Sequence, residues 1–199
     1  MTLFVATNNV HKLEEIRSAM PGLDIRSPGD AGLDFDFPED ADSFLGNSTG
    51  KALALWRLLR VPVLADDSGL CVDALLGRPG VLSARYGSAH GAAPLASDDR
   101  NAMLIEEMAG KTDRRCRFVC CMSLVVTPDR LFVVQETCEG QLLEKPRGAG
   151  GFGYDPIVFL PELGRSVAEL SAVEKNRVSH RGRAIARMAA VIENLERLP

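Results

Sequence analysis

Two adjacent carboxylates, Asp66 and Asp67, close the apolar run Val63-Leu64-Ala65 and are followed by Ser68-Gly69. The carboxyl end of a strand is where open α/β sheets place ligands. Mg²⁺ is commonly held by one or two carboxylates together with substrate phosphates. A carboxylate there can also orient or deprotonate a water. Asp, Ser and Gly are equally common in surface turns, so both readings fit these four residues alone.

Three further segments carry chemistry-bearing types. Thr7-Asn8-Asn9-Val10-His11-Lys12 lies between an apolar strand and a helical pattern. Backbone N–H groups and polar side chains gather at the positive end of a helix, with Lys12 one turn in, and suit a phosphate. A capped helix with a solvated lysine fits as well. Gly148-Ala149-Gly150-Gly151-Phe152-Gly153-Tyr154-Asp155-Pro156 contains a literal G-x-G-x-x-G. A dinucleotide site is rejected, because that fingerprint needs a helix after the glycines and an apolar strand follows here. The segment reads instead as a glycine loop presenting Phe152, either to stack on a base or to pack in the core. Ser179-His180-Arg181 opens the last helix, where the dipole does not favour cations. The two donors suggest a bound phosphate or base carbonyl; a solvated basic turn is the alternative. Gly46-Asn47-Ser48-Thr49-Gly50-Lys51-Ala52 approaches a P-loop but is one residue short, lacks Ser or Thr after the lysine, and has no strand directly before it.

The elements that must position these residues follow from periodicity. Strands are expected at 3–6, 61–65, 70–75, 118–126, 131–137 and 157–160. Helices are expected at 10–20, at 43–60 behind a cap at Ser43 or Asp42, at 94–109 closed by Gly110, and at 179–197. Residues 28–42 and 77–93 read as loop. Crossover-linked strands and hairpins together give an α/β class with a mixed sheet. The 199 residues suit one large domain or two packed lobes, and no linker, repeat or low-complexity tract divides them.

Composition narrows the partners. A net charge of −4 offers no broad basic field for a nucleic acid polymer. No stretch reaches the apolar length of a membrane helix, and the start lacks a basic, cleavable leader. Five cysteines, an odd number, argue against a secreted disulfide framework. Cys116, Cys120 and Cys121 read as buried thiols. The expected location is the cytoplasm.

In order and spacing the segments resemble the inosine triphosphate pyrophosphatase family, which acts on non-standard purine nucleoside triphosphates. The resemblance rests on Ala6-Thr7-Asn8-Asn9-x-x-Lys12, Phe44-x-x-Asn47-x-x-x-Lys51-Ala52, Ala65-Asp66-Asp67-Ser68-Gly69-Leu70, and Pro79-Gly80-Val81-x-Ser83-Ala84-Arg85-Tyr86. It continues through Gly150-Gly151-Phe152-Gly153-Tyr154-Asp155-Pro156, Glu174-Lys175 and Ser179-His180-Arg181-Gly182. It implies a mixed twisted sheet with flanking helices and two lobes around a central cleft, forming a single pyrophosphatase domain over 1–199. It implies a homodimer, dependence on Mg²⁺ with Mn²⁺ as a substitute, and hydrolysis of inosine, deoxyinosine and xanthosine triphosphates to the monophosphate and pyrophosphate. Thr7, Asn8, Asn9, Val10, His11, Lys12 and Lys51 would hold the triphosphate. Asp67 would be proton acceptor and metal ligand, with Asp66 a second acid and Ser68 a substrate contact. Phe152, Gly153, Tyr154, Asp155, Lys175, His180 and Arg181 would form the nucleoside pocket, with His180 and Arg181 donating to the 6-oxo group.

One departure bears on the metal. The family's Phe-x-Glu-Asn segment carries an acid that ligates the metal in many members, and here that position is Gly46. Water, Asp66 or a loop acid (Glu39, Asp40 or Asp42) could substitute. A glutamate restored at 46 is expected to lower the metal requirement and to stabilise the helix by up to about 1 kcal/mol. Other substrates, such as pyrimidine or methylated nucleotides, and a nucleotide-binding protein with weakened metal catalysis are the competing functions.

Overall fold

The first strand already shows the logic of the core. In a strand, successive side chains point to opposite faces. In β1 (Thr2–Val5), Leu3 and Val5 join one apolar cluster while Phe4 joins another, together with Ala6 just beyond the strand. A strand buried on both faces is apolar throughout rather than alternating, as Leu3-Phe4-Val5-Ala6 is. The computed structural model describes residues 2–88 and 93–196. The parts of the expected 77–93 loop and 179–197 helix at 89–92 and 197 lie outside the described residues.

The remaining elements are α1 (Val10–Ala19), β2 (Asp24–Arg26), α2 (Phe44–Leu59), β3 (Val63–Val72), α3 (Ser97–Glu107), β4 (Arg115–Thr127), β5 (Arg130–Leu142), β6 (Val158–Leu160), β7 (Arg165–Ser166), α4 (Ala172–Val178) and α5 (His180–Glu196). The sheet order is β2-β1-β3-β4-β5-β6-β7. β1 pairs in parallel with β2 and β3, while β5–β6 and β6–β7 are antiparallel. The mixed α/β sheet with flanking helices is therefore present. The chain divides into two compact units, one of Met1–Asp67, Cys120–Glu136 and His180–Pro199, the other of Ser68–Val119 and Thr137–Ser179.

In the first unit one cluster joins Leu3, Val5 and Leu64 to Ile16 of α1 and to Ile185, Met188 and Ile192 of α5. The other joins Phe4, Ala6, Val63 and Ala65 to Ala52, Leu55 and Trp56 of α2. Ser123, the polar exception in the apolar run of β4, is fully buried and shares hydrogen bonds of 2.9 Å with Ser48 and Thr49 of α2. In the second unit a single cluster runs from Leu70 and Val72 through Leu104, Met108 and Phe118 to Ile157, Val158 and Leu160.

Several expectations are corrected. Asp66-Asp67-Ser68-Gly69 does not end a strand; β3 runs through it to Val72. Residues 73–75, expected to extend a strand, form a 3₁₀ turn. The cap of α2 is Ser43, not Asp42: its hydroxyl accepts the Gly46 N–H at 3.1 Å. Gly46–Ala52 is the body of α2, so no phosphate loop forms there. β2 and α4 were not anticipated. Among the described residues no helix is long and apolar enough to cross a membrane.

Candidate active site

Strand alternation separates the two adjacent carboxylates. In β3, Leu64 faces α1 and α5, and Ala65 faces α2. Asp66 and Asp67 continue the alternation. Asp66, fully buried, meets Lys12 Nζ of α1 at 3.0 Å and Arg181 Nε of α5 at 3.3 Å. Arg181 Nη1 also donates to Glu15 at 2.6 Å. Asp67 meets α2, where Asn47 Nδ2 donates to its Oδ2 at 2.9 Å.

The two acids are accordingly in opposite electrostatic states. Burial pushes Asp66 up, but Lys12, Arg181 and Lys51 outweigh it and hold the carboxyl well below the usual range. For Asp67, burial dominates and raises the carboxyl above its ordinary value; Glu39 adds to the rise, while the Asn47 bond and the lysines oppose it. Asp66 is thus a fixed anion that anchors two cations. Asp67 is the more basic of the pair and suited to accept a proton.

The Thr7–Lys12 segment is organised as a helix start. Thr7 Oγ1 accepts the Asn9 N–H at 3.1 Å, and Asn9 caps α1 by accepting the Lys12 N–H at 3.2 Å. Asn8 Nδ2 donates to the Phe35 carbonyl at 2.8 Å, tying this turn to the loop before α2. Val10 is 63% exposed, and His11 is exposed beside Glu14. Lys12 is not a solvated lysine, being committed to Asp66. Lys51 is buried on α2, one turn beyond Asn47, and its ammonium bonds Glu39.

In the second unit the glycine loop is shaped by one buried acid. Asp155 is 3% exposed and accepts the Phe152 N–H and Lys175 Nζ, each at 2.8 Å. Lys175 Nζ stands 4.6 Å from the centroid of the half-buried Phe152 ring, a cation–π contact. Phe152 therefore belongs to the loop rather than to the apolar core. Gly151 permits this closure: its φ is +72°, and a Cβ there would lie 2.1 Å from Asp155 Oδ2. Tyr154 is buried with its hydroxyl donating to the Ser83 carbonyl at 2.9 Å. Gly69, beside the half-buried Ser68, approaches so closely that a Cβ would meet the Gly80 carbonyl at 2.3 Å. The segment Pro79–Tyr86 is thereby a packing partner of β3, through Ser83 Oγ accepting the Leu70 N–H at 2.8 Å.

His180 and Arg181 are 6% and 3% exposed, which excludes a solvated basic turn. The resemblance implies a base contact for Arg181, whereas the structure places its Nε and Nη1 on Asp66 and Glu15. Sequence reasoning missed Asn47, which holds both Asp67 and the loop through Ala41 N–H at 3.0 Å. It also missed Glu15. The Asn47 signal was its place in the matched segment, four residues before Lys51.

Fold and site together define an α/β protein in which two adjacent buried carboxylates, Asp66 and Asp67, stand close to Lys12 and Lys51. The Ham1 family model matches residues 3–191, and the chain belongs to that family. A dITP/XTP pyrophosphatase of Treponema denticola is 47% identical over 185 residues, covering 93% of this chain and 95% of that protein. The solved Ham1 protein of Staphylococcus aureus matches with a TM-score of 0.87 at 33% identity, covering 98% and 99% of the two chains. The HAM1 protein of Coxiella burnetii matches with a TM-score of 0.89 at 30% identity, with the same coverage.

Proposed function

We propose that the protein is a pyrophosphohydrolase that cleaves inosine, deoxyinosine and xanthosine triphosphates to the monophosphate and pyrophosphate, clearing non-standard purines from the nucleotide pool. The observation that carries the reading is the division of labour between Asp66 and Asp67, set in a chain of this family. Asp66 holds Lys12 and Arg181 in place. Lys12 and Lys51, with the Thr7–His11 turn, receive the triphosphate. Asp67, oriented by Asn47, accepts a proton from the attacking water. The water oxygen bonds the α-phosphorus as the bond from that phosphorus to the bridging oxygen breaks, and pyrophosphate leaves with the bond electrons. Lysine charge beside the departing group stabilises it.

The donor set fits a hard divalent cation, since carboxylate oxygens near a polyphosphate are what Mg²⁺ prefers. Asp67 would hold Mg²⁺, which, when bound, neutralises the triphosphate and polarises its oxygens; Mn²⁺ can take its place. In the second unit Phe152 stacks on the purine, its backbone N–H held by Asp155 and its ring set against Lys175, and Gly153 and Tyr154 complete the nucleoside pocket. His180 reads the 6-oxo group. Ser68 contacts substrate. A site demanding a carbonyl acceptor discriminates strongly against the 6-amino group of adenine. The active form is a cytoplasmic homodimer whose single pyrophosphatase domain spans 1–199. The test is pyrophosphate release from inosine, xanthosine, guanosine and adenosine triphosphates with and without Mg²⁺. Metal-dependent release favouring inosine and xanthosine is expected; equal rates on adenosine triphosphate would overturn the assignment.

A further inference from the structure

Position 46 is more than a missing acid. Gly46 and Gly50 lie four residues apart, on one face of α2. A Cβ on Gly46 would stand 2.7 Å from the Ala41 Cβ, and one on Gly50 would stand 2.8 Å from the ring of Phe37. The two glycines thus form a shallow track along which residues 35–41 lie. Phe35 is buried at one end, and the Ala41 N–H bonds Asn47 Oδ1 at 3.0 Å at the other. Asn47 uses its second amide position on Asp67 Oδ2 at 2.9 Å. One side chain therefore ties the loop to the reactive carboxylate.

Between these two anchors sits Glu39. It is half-buried, 26% exposed at the side chain, and its carboxylate bonds the Lys51 ammonium. Asp40 and Asp42 are exposed. Lys51 marks a place beside Glu39 and one turn from Asn47 where a cation is already stabilised. Glu39 is also among the charges that act on Asp67.

We infer that Glu39 is the second acidic ligand of the divalent metal, supplied by the loop in place of the helix carboxylate that position 46 lacks. Replacing glutamate by glycine at 46 opens the space that Ala41 fills, and the docked loop returns a carboxylate from the other direction. Before substrate binds, Lys51 is the counter-ion of Glu39; with metal and triphosphate present, Lys51 turns to phosphate and Glu39 to the metal. Two protein carboxylates with phosphate oxygens and water satisfy the usual Mg²⁺ coordination. Of the five candidates for the vacant ligand position (water, Asp66, Glu39, Asp40 and Asp42), this selects Glu39.

The inference rests on the metal-dependent hydrolase reading, and its test separates the two. Mn²⁺ alone, followed by the loss of its free paramagnetic signal, gives a binding midpoint without turnover. Glu39→Gln should weaken that midpoint by about tenfold or more, with an unchanged circular dichroism spectrum. Asp40→Asn should leave it where it is. Lys51→Met should tighten Mn²⁺ binding in the absence of nucleotide, because the competing ammonium is gone, and Glu39→Gln combined with Lys51→Met should lose that gain. A wild-type Mn²⁺ midpoint in Glu39→Gln, or a gain in Lys51→Met that persists in the double variant, overturns the role of Glu39. A wild-type protein that releases pyrophosphate at full rate in chelator would instead overturn the metal-dependent reading itself.

Discussion

Replacing Gly46 by alanine tests the docked loop with a side chain that has no chemistry of its own. Helix propensity alone favours alanine by about 1 kcal/mol. The new Cβ would stand 2.7 Å from the Ala41 Cβ and 3.2 Å from Ser43 Oγ. Carbon atoms in contact prefer about 3.5–4.0 Å, so Ala41 must retreat by about 1 Å. Ala41 Cβ is rooted in the backbone and cannot swing aside, so the loop itself moves. Overpacking of this kind costs about 1–3 kcal/mol. Loss of the Ala41 N–H bond to Asn47 adds about 1 kcal/mol, and the Ser43 cap is crowded as well. The balance is a net loss of about 1 kcal/mol or more, a drop in Tm of at least about 2–4 °C for a chain of this size. Scanning calorimetry of both proteins gives the sign, and Mn²⁺ titration gives the consequence at the site, a weaker midpoint without removal of any ligand. A rise in Tm with an unchanged midpoint would refute the docking argument. The same overlap revises the expectation for Gly46→Glu: the restored acid must displace Ala41, so the gain in helix stability is not expected.

Asp67→Asn should abolish turnover in a pyrophosphate-release assay while the far-ultraviolet spectrum stays native; near-full activity with Mg²⁺ would remove Asp67 from the chemistry. Asp66→Asn should act on stability instead, costing about 3–5 kcal/mol in a urea melt because Lys12 and Arg181 lose a fully buried counter-charge. A loss under about 1 kcal/mol would contradict that. Phe152→Ala should weaken binding of all purine triphosphates alike, by roughly 10- to 100-fold from the loss of stacking, whereas His180→Ala should erode the preference for inosine over adenosine triphosphate. Equal losses on both nucleotides from His180→Ala would place that residue on phosphate. An aromatic thiol reagent should modify Cys71 first in the native protein and all five cysteines after denaturation, since Cys71 is only half-buried while the other four are buried, and burial pushes the Cys116 thiol up to about 12; rapid native modification of Cys116 or Cys120 would contradict their burial.

Long apolar strands and amphipathic helices were legible, because Leu3–Ala6, Phe118–Val126 and the Ile185, Met188, Ile192 stripe leave few choices. The residues between Ala65 and Leu70 were not. Two Asp, a Ser and a Gly carry turn chemistry locally, and the strand continues only because Arg181, 115 residues away, and Lys12 neutralise Asp66. Apolar neighbours on both faces also hid which way each carboxylate points. β2 offers one apolar residue, Ile25, between two charges, and pairs through its backbone. α4 is only seven residues long, but its start was written in the capping box Ser171-x-x-Glu174. The position of Glu39 had no local signal, since it depends on glycines at 46 and 50 accepting a loop whose sequence reads as irregular.

The three-segment construction of the first unit has a consequence for synthesis. Its last segment, α5, carries Arg181 and the apolar stripe of Ile185, Met188 and Ile192, and it follows every residue of the second unit in the chain. On a ribosome, residues 68–119 and 137–179 emerge while β1 and β3 still lack their closing helix and Asp66 still lacks Arg181. The N-terminal strands must wait, with apolar surface uncovered, while a later-made unit already holds all its own parts. Vectorial folding, which ordinarily favours the amino-terminal portion, is here inverted, and the interval before residue 180 leaves the tunnel is when this chain is most exposed to aggregation.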